Sequence, residues 1–310
     1  MVPNPPSKDA EANSREPALV GLIVRPGIES AIELGHEVLK WAKSVGDSVL
    51  CEEETAKILS LTEPGALPKE IARRCDPIIA LGGDGTLIGI AHFIEGESPT
   101  LVGVNFGHLG FLTELAPSEL LTTLPKVRAG TAPCSKRSML LAEIFRDGKM
   151  IFSGQGINEA VLLKGSNEPL IDIDVTVDDD PVMRLRTDGL ILSTSTGSTA
   201  YSLAAGGSIV YPTLPVMLLT PICPHSLTAR PLVLRLESCV KLFLPRLEGK
   251  KLEPDIALTI DGQLSASLRP GDEVRITRSS NTVKVVRSPS RSYFEILRVK
   301  LNWGIANKPD

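Results

Sequence analysis

The residues best suited to chemistry in the first half of the chain form the segment LGGDGT, Leu81–Thr86. The apolar run Pro77–Leu81 predicts a buried strand before it, and Thr86–Ile94 predicts a helix after it. Open parallel sheets bind ligands beyond the carboxyl ends of their strands, where glycines let the backbone approach phosphate oxygens. Asp84 is therefore expected to face a pocket. The segment is neither a P-loop nor a G-x-G-x-x-G fingerprint. The alternative is a tight turn in which Asp84 only caps the helix.

A second polar pair stands in the middle of the chain. Asn158 and Glu159 precede the apolar AVLL, which predicts a strand. A neutral amide beside a carboxylate suits the two hydroxyls of a ribose, because the amide both donates and accepts hydrogen bonds while the carboxylate accepts them. The alternative is a solvated loop edge at the start of the strand.

The richest polar segment is Arg186–Gly189 followed by STSTGSTAYSLAAGGS, Ser193–Ser208. Its small and hydroxylated residues around one tyrosine predict a narrow groove in which main-chain amides and hydroxyls bind a sugar or a nucleotide. A low-complexity linker is the alternative, but the apolar LIL before it and IVY after it indicate an ordered, buried path. Farther along, Asp261-Gly262 predicts a hairpin turn first and a binding site second.

Histidines, serines and cysteines add no further catalytic pattern. No serine stands in a G-x-S-x-G elbow, so a triad hydrolase has little support. The histidines have no metal-ligand spacing and are expected to be structural or exposed: His36, His92, His108 and His225. The five cysteines form no C-x-x-C pair and fit a reducing compartment, mostly as small core residues: Cys51, Cys75, Cys134, Cys223 and Cys239.

The elements that must position these groups begin as alternating strands and helices. Ala18–Val24 predicts a buried strand, and a helix follows it with apolar residues spaced by three and four up to Gly46. Strands at Pro77–Leu81 and Thr100–Val104 continue the alternation. This order predicts a parallel sheet.

Beyond residue 130 the pattern becomes that of antiparallel strands. Ile171–Val177 alternates apolar and polar residues, and Asp178–Pro181 predicts a turn. The helical spacing of Tyr293–Trp303 predicts an element that packs back on the first domain. Further short strands are predicted at Arg184–Ser193, Ala257–Ile260, Val274–Ile276 and Val283–Val286.

The fold class predicted is an α/β N-terminal domain with a parallel sheet, plus a β-rich C-terminal domain. The domains are placed at residues 18–130 and 131–290, with a C-terminal segment at 291–310. Residues 1–17 hold four prolines and little that is apolar, which predicts a disordered tail. A formal net charge of −4 gives no global attraction to nucleic acid or membrane. No run approaches the roughly 18–20 apolar residues of a membrane span.

Taken in this order, the segments resemble those of the NAD kinase family. The resemblance covers nearly everything from Ala18 to Gly304, and four ordered motifs are far more specific than any one of them. The matching stretches are LGGDGT, VNFGHLGFLTE (Val104–Glu114), Asn158-Glu159, RTDGLILSTSTGSTAYSLAAGG (Arg186–Gly207), PICPHSLTARPLVL (Pro221–Leu234), Asp261-Gly262-Gln263 and YFEILRVKLNWG.

The resemblance implies transfer of a phosphoryl group from ATP, or from polyphosphate, to the adenosine ribose 2'-hydroxyl of NAD, giving NADP. Asp84 would be the catalytic base or orienting group at that hydroxyl. Pro169 stands where some relatives place a ligand-contacting histidine. The resemblance implies substrate binding by Asp84, Gly85, Asn158, Glu159, Arg186, Asp188, Thr199, Ala200, Tyr201, Ser202, Leu203, Ala204, Cys223 and Gln263.

A divalent cation, Mg²⁺ or another, is expected to screen the triphosphate. Glu159 is a hypothesis for one of its ligands, and the motifs assign no others. Relatives assemble as dimers or tetramers, so the resemblance also implies a homo-oligomer, and a cytoplasmic location is expected. No nucleic-acid or membrane partner is expected.

Two other functions compete with this one. A lipid or sphingoid-base kinase shares the strand-end Gly-Gly-Asp-Gly, but the TGSTAYSLAAGG segment gives it no support. A non-catalytic dinucleotide-binding module would bind NAD tightly and form no NADP. The presence of Asp84 speaks against that module.

Overall fold

The computed structural model describes residues 16–107, 109–246 and 255–303. The tail predicted at residues 1–17 lies outside the described residues except for Glu16 and Pro17, and so do His108 and the end of the C-terminal segment from Gly304. No helix within the described ranges is long and apolar enough to cross a membrane.

The described residues form seven α-helices, sixteen strands and a short 3-10 helix at Gly197–Thr199. The helices are α1 (Glu29–Ser44), α2 (Glu53–Ile58), α3 (Pro68–Arg74), α4 (Asp84–Ala91), α5 (Pro117–Arg128), α6 (Tyr201–Ala204) and α7 (Tyr293–Leu301). The strands of the first half are β1 (Leu19–Val24), β2 (Ser48–Cys51), β3 (Ile78–Leu81), β4 (Thr100–Val104), β5 (Cys134–Arg146), β6 (Lys149–Gly156), β7 (Glu159–Lys164) and β8 (Ile171–Val177). Those of the second half are β9 (Asp180–Thr187), β10 (Gly189–Thr194), β11 (Val216–Ile222), β12 (Leu232–Arg235), β13 (Val240–Phe243), β14 (Ile256–Ile260), β15 (Leu264–Leu268) and β16 (Glu273–Val286).

The chain separates into two compact units. The first ends at Lys136 and resumes at Val283, and the second is Arg137–Thr282. The first unit is built on a parallel sheet with the strand order β2–β1–β3–β4. β3 and β4 are buried along their whole lengths, as expected for strands of a parallel sheet that has helices on both faces. The predicted parallel sheet is confirmed.

Helix α1 shows why the sequence folds this way locally. Ala31, Leu34, Val38 and Ala42 recur at intervals of three and four residues, and all four are buried. Burying one aliphatic side chain of the size of Val or Leu contributes about 1.5–3 kcal/mol. Gly46 follows the helix with a φ of 80°, a backbone conformation that glycine adopts most easily. The helix predicted to end before this glycine is confirmed.

Helix α7 belongs to the first unit, as predicted for the C-terminal segment. It begins with a capping box, in which the Ser292 hydroxyl accepts from the Glu295 N–H and the Glu295 carboxylate accepts from the Ser292 N–H. The ring of Tyr293 lies 6.5 Å from that of Phe111, centroid to centroid. The C-terminal helix therefore packs against the segment that follows β4.

The second unit is a β-sandwich. One sheet has the order β12–β11–β10–β7–β14–β15, and every pair in it is antiparallel. The other sheet contains β16, β13, β8 and β9, with β5 and β6 attached to it. Leu162, Leu190 and Leu258 of the first sheet share one buried core with Ile173 and Leu242 of the second. The predicted β-rich second half is confirmed.

Two strand predictions are wrong. The sequence predicts one strand at Arg184–Ser193, but the chain leaves one sheet at the end of β9 and enters the other sheet at the start of β10. The segments Val274–Ile276 and Val283–Val286, predicted as separate strands, belong to the single strand β16. The polar residues between them stay extended because Ser279 and Asn281 donate to Gln155 Oε1, at 3.1 and 2.9 Å.

The expected burial of the cysteines is only partly correct. All five are free thiols. Cys51 and Cys75 are buried, and burial raises the pKa of each thiol to about 11. The prediction that most cysteines are small core residues is wrong, because three are exposed or half-buried: Cys134, Cys223 and Cys239.

Candidate active site

Asp84 stands at the carboxyl end of β3, where the sheet topology predicts a ligand site. β3 ends at Leu81, two glycines follow, and Asp84 is the first residue of α4. Gly83 is the N-cap, and no side chain caps the helix. The alternative in which Asp84 serves only as a helix cap is therefore not supported.

The carboxylate of Asp84 is held by one short segment of the same unit, Gly110–Thr113. Oδ2 accepts from the Phe111 N–H at 2.9 Å. Oδ1 accepts from the Leu112 N–H at 3.2 Å, the Thr113 N–H at 2.9 Å and the Thr113 hydroxyl at 2.7 Å. Four donors on one carboxylate fix its position and orientation.

Gly110 makes this arrangement possible. A Cβ at Gly110 would stand 2.0 Å from Asp84 Oδ1 and 2.2 Å from the Thr113 hydroxyl oxygen, far inside van der Waals contact. The Thr113 side chain is completely buried. Asn105 is next to the Thr113 side chain, and its Nδ2 lies 3.4 Å from the Thr113 hydroxyl oxygen. The segment can approach Asp84 only because position 110 has no side chain.

A cavity of about 460 Å³ opens beside the loop after β4, within the first unit. Asn105, Phe106 and Leu109 line it from the loop, and Arg291 and Glu295 line it from the beginning of α7 and the residues before it. The Lys300 ammonium group lies 5.3 Å from the centroid of the Phe111 ring and forms a cation–π contact with it. The loop that holds Asp84 is thus packed against the C-terminal helix.

In the second unit, Asp261 organises the Asn158-Glu159 pair. Its carboxylate accepts from the backbone N–H groups of Ile157 at 2.8 Å, Asn158 at 2.9 Å and Glu159 at 2.9 Å. Asp261 and Gly262 form the turn between β14 and β15, with φ values of 50° and 66°. The predicted hairpin is confirmed, and its aspartate also fixes the residues that lead into β7.

Glu159 is a buried carboxyl group with an unsatisfied oxygen. Its side-chain atom Oε2 has no hydrogen-bond partner among the described residues, although the residue is only 7% exposed. Burial and the nearby charge of Asp261 raise the pKa of Glu159 to about 8, while a hydrogen bond from the Tyr201 backbone opposes the shift. Glu159 is therefore largely protonated at neutral pH and can donate a hydrogen bond.

The serine- and threonine-rich segment packs against the same pair. The Thr194 hydroxyl donates to the Ile157 carbonyl at 2.6 Å, and the Thr194 N–H donates to the Asn158 carbonyl at 2.8 Å. A Cβ at Gly197 would stand 2.2 Å from the Asn158 carbonyl oxygen, so a residue without a side chain is required there. The first part of the segment, residues 193–198, is buried, which is not the behaviour of a linker.

The predicted residues that follow Gly197 differ in burial. Ser202 is fully buried and hydrogen-bonded to Thr220 at 3.0 Å, whereas Tyr201 is 41% exposed. The other predicted residues of this stretch, at the end of the 3-10 helix and around α6, are half-buried or exposed: Thr199, Ala200, Leu203 and Ala204. The buried serine therefore anchors the stretch, and its neighbours remain accessible to a ligand.

The other predicted contacts lie at the opposite end of the same strands. Asp188 immediately precedes β10, and Cys223 immediately follows β11, to which β10 is paired. Arg186 is exposed, and Asp188 forms an ion pair with Lys164 at 3.4 Å. The length of β10 separates this end from the Asn158-Glu159 end, a span of about 17 Å for an extended strand of this size. Such a length suits a ligand with two separated polar parts.

The remaining predicted residues lie close to the two aspartates. Gly85 follows Asp84 in the first turn of α4 and is exposed. Gln263 follows the Asp261-Gly262 turn, is exposed, and donates its backbone N–H to the Ile260 carbonyl at 3.0 Å. In the second unit the structure therefore places Asn158, Glu159 and Gln263 beside Asp261, and the backbone of Tyr201 beside Glu159.

Sequence reasoning missed the residues that position the site. Gly110 and Thr113 lie in the quoted VNFGHLGFLTE stretch, and Asp261 lies in the predicted hairpin, yet none was assigned a role. For Gly110 and Thr113, the VNFGHLGFLTE motif is the one sequence signal. Spacing along the chain does not reveal the contacts themselves, because the partners are 27 or 102 residues apart. The described residues contain no group of three or more His, Cys, Asp or Glu side chains that could hold a metal ion.

Comparisons with known proteins give the same family for both halves of the chain. A family model of the ATP-NAD kinase N-terminal domain matches residues 20–132, and one of the ATP-NAD kinase C-terminal domain matches residues 157–288. A protein named NAD kinase from Syntrophotalea carbinolica is 39% identical over 285 residues, which cover 92% of this chain and 98% of that protein. Another from Geobacter sulfurreducens is 40% identical over 271 residues, covering 87% and 93%.

Solved structures are similar as well. The crystal structure of yeast NADH kinase complexed with NADH matches with a TM-score of 0.86 at 25% identity, covering 96% of this chain and 91% of that chain. The NAD kinase from Archaeoglobus fulgidus in complex with ATP shares the fold, with a TM-score of 0.68 at 22% identity and coverage of 91% and 98%.

Proposed function

Because this chain belongs to the NAD kinase family, it is a kinase that phosphorylates NAD to NADP, and we propose that Asp84 acts on the accepting hydroxyl. The observation that supports this role is the fixed carboxylate at the carboxyl end of β3. Four hydrogen bonds hold it in one orientation, so little reorganisation is needed when substrate binds.

The two oxygens of Asp84 are not equivalent. Oδ1 accepts three hydrogen bonds from Gly110–Thr113, whereas Oδ2 accepts one, from the Phe111 N–H. Oδ2 therefore has acceptor capacity left for a substrate hydroxyl. In the proposed step Oδ2 accepts the proton of the ribose 2'-hydroxyl while the hydroxyl oxygen bonds to the γ-phosphorus of ATP. The bond from that phosphorus to the bridging oxygen breaks, and ADP leaves with the electron pair.

Asn158 and Glu159 are proposed to hold ribose hydroxyls. Asp261 fixes their backbone, so both side chains project from a defined point at the start of β7. The raised pKa of Glu159 makes it a hydrogen-bond donor at neutral pH, and its free Oε2 gains a partner when a hydroxyl arrives. Arg186 and Asp188 are proposed to contact the other end of the dinucleotide.

ATP is the phosphoryl donor of the family, and a divalent cation is proposed to accompany it. The described residues do not form a protein cage for such an ion. Glu159 is the hypothesised protein ligand; its pKa is raised in the cation-free protein, so binding the ion there would release its proton. Mg²⁺ in nucleotide sites takes most of its ligands from phosphates and water, so we propose that it enters with ATP and screens the phosphate charge.

A cytoplasmic homo-oligomer is also proposed. The five free thiols suit a reducing compartment. Leu227 is 90% exposed and Val233, on the edge strand β12, is 58% exposed, which offers apolar surface in the second unit to another copy. Light scattering of the purified protein should give the mass of a dimer or a tetramer, and a monomer at micromolar concentration would contradict the assembly.

The first test compares the wild type with Asp84→Asn, using NAD, ATP and Mg²⁺. NADP formation by the wild type and a loss of at least about a hundredfold in kcat for the variant are expected, the usual scale for removing a general base. Exposed Glu95→Gln serves as the control for loss of a carboxylate elsewhere in the unit. A folded wild type that binds NAD and forms no NADP would contradict the kinase function, and phosphorylation of a sphingoid base instead would favour the lipid kinase.

A further inference from the structure

Arg25 lies beside the glycines that precede Asp84. It directly follows β1, and its backbone N–H donates to the Leu81 carbonyl at 2.9 Å, which places it at the same sheet edge as the Gly-Gly turn. A Cβ at Gly82 would stand 3.0 Å from the Arg25 Cβ, and one at Gly83 would stand 3.7 Å from Arg25 Nη1. The side chain therefore extends along the turn that leads to the proposed base.

The Arg25 guanidinium has no hydrogen-bond or ion-pair partner among the described residues, and the residue is exposed. Five other arginines of the first unit are paired with carboxylates: Arg73, Arg74, Arg128, Arg287 and Arg291. Arg298 on α7, like Arg25, forms no such pair in the described structure. An arginine at the ligand-binding edge of a parallel sheet, with all its donors free, is well suited to an anion.

We propose that Arg25 binds the phosphate groups of the nucleotide donor. This inference rests on the proposed function, because it takes Asp84 as the group that receives the acceptor hydroxyl. A planar guanidinium can bind two phosphate oxygens at once, and it offsets charge that Mg²⁺ alone does not neutralise.

The position favours the donor over the pyrophosphate of NAD. In the reacting complex the γ-phosphorus must come within about 3–3.5 Å of the hydroxyl that Asp84 contacts. Arg25 borders the two residues immediately before Asp84, so its guanidinium meets phosphates that approach this hydroxyl. The NAD pyrophosphate is the other source of the same chemistry, and separate kinetics for the two substrates distinguish them.

The experiment measures KM and kcat for ATP and for NAD in the wild type, Arg25→Ala and Arg25→Lys. A charged hydrogen bond of this kind corresponds to a change of about ten- to a hundredfold. We expect kcat/KM for ATP to fall by that factor in Arg25→Ala, with KM for NAD within about twofold of the wild type. Arg25→Lys should recover part of the loss, because lysine keeps the charge and lacks the planar fork.

Two controls keep the test decisive. Lys69→Ala removes the same charge from α3 and should leave both substrates unaffected. The melting temperature of Arg25→Ala should equal that of the wild type, because the side chain is exposed and unpaired in the described structure. A rise in KM for NAD alone would assign Arg25 to the NAD pyrophosphate, and unchanged kinetics for both substrates would remove it from the site. Either result overturns the proposal for Arg25. The kinase function is tested separately, by NADP formation in the wild type.

Discussion

Thr113 binds the same oxygen of Asp84 twice, through its backbone N–H at 2.9 Å and through its hydroxyl at 2.7 Å. The two bonds come from one residue on a segment that is packed against α7 through Phe111 and Tyr293. The position of the proposed base therefore depends on a residue that need not touch either substrate.

Thr113→Val tests this dependence. The variant keeps the shape of the side chain and the backbone bond but loses the hydroxyl, whose bond to a carboxylate is worth about 1.5–3 kcal/mol. We expect kcat to fall roughly tenfold, with both KM values nearly unchanged, because a mobile base affects the chemical step. Thr113→Ser keeps the hydroxyl and should retain most of the activity. Equal losses in the two variants would indicate a packing effect instead.

Gly110→Ala should be more damaging. Its new methyl group would lie 2.0 Å from Asp84 Oδ1, so the carboxylate or the segment must move. A displacement of about 1 Å near the reacting atoms can cost a hundredfold in rate. Gly107→Ala is the matched control on the same loop, because nothing lies within 4 Å of its added Cβ. Steady-state kinetics should show a large loss of kcat for the first variant only, and similar rates for both would contradict the steric requirement.

The sequence predicts contiguous features of this protein well. The strands at Thr100–Val104 and Ile171–Val177 match the structure residue for residue, because burial on each follows a local pattern. The strand, glycine turn and helix around Asp84 were predictable for the same reason.

Features that depend on distant partners were not predictable. The residues between Val274 and Val283 resemble a turn, but bonds from Ser279 and Asn281 to Gln155 keep them in one strand. The Asp-Gly pair at 261 correctly predicts a hairpin, yet its second role depends on backbone N–H groups more than a hundred residues earlier.

Asp261→Ala tests that second role. The change leaves three backbone N–H groups without their acceptor, at a cost of about 1–3 kcal/mol for each group that stays unsatisfied. We expect KM for NAD to rise at least about tenfold while KM for ATP changes little. Asp261→Asn keeps one acceptor oxygen and should be intermediate in both stability and KM. Normal NAD binding by a folded Asp261→Ala variant would show that Asn158 and Glu159 need no such support.

Glu159 predicts a characteristic dependence of stability on pH. Its pKa is raised from 4.5 to about 8 in the folded protein by burial and by the charge of Asp261. Below pH 4.5 both the folded and the unfolded state hold the proton, and above pH 8 both have lost it. Between these values the unfolded state releases the proton first, so this group makes the free energy of unfolding fall as pH rises.

The full decrease is on the order of 3–5 kcal/mol and should be absent from Glu159→Gln, whose amide does not titrate. Urea denaturation of both proteins without NAD, at several values between pH 5 and pH 8.5, measures the difference. The variant should gain stability relative to the wild type as pH rises, because a neutral amide avoids the cost of a buried charge beside Asp261. A difference that stays constant with pH would mean that Glu159 is ionised across this range, and its proposed role as a hydrogen-bond donor to ribose would then be wrong.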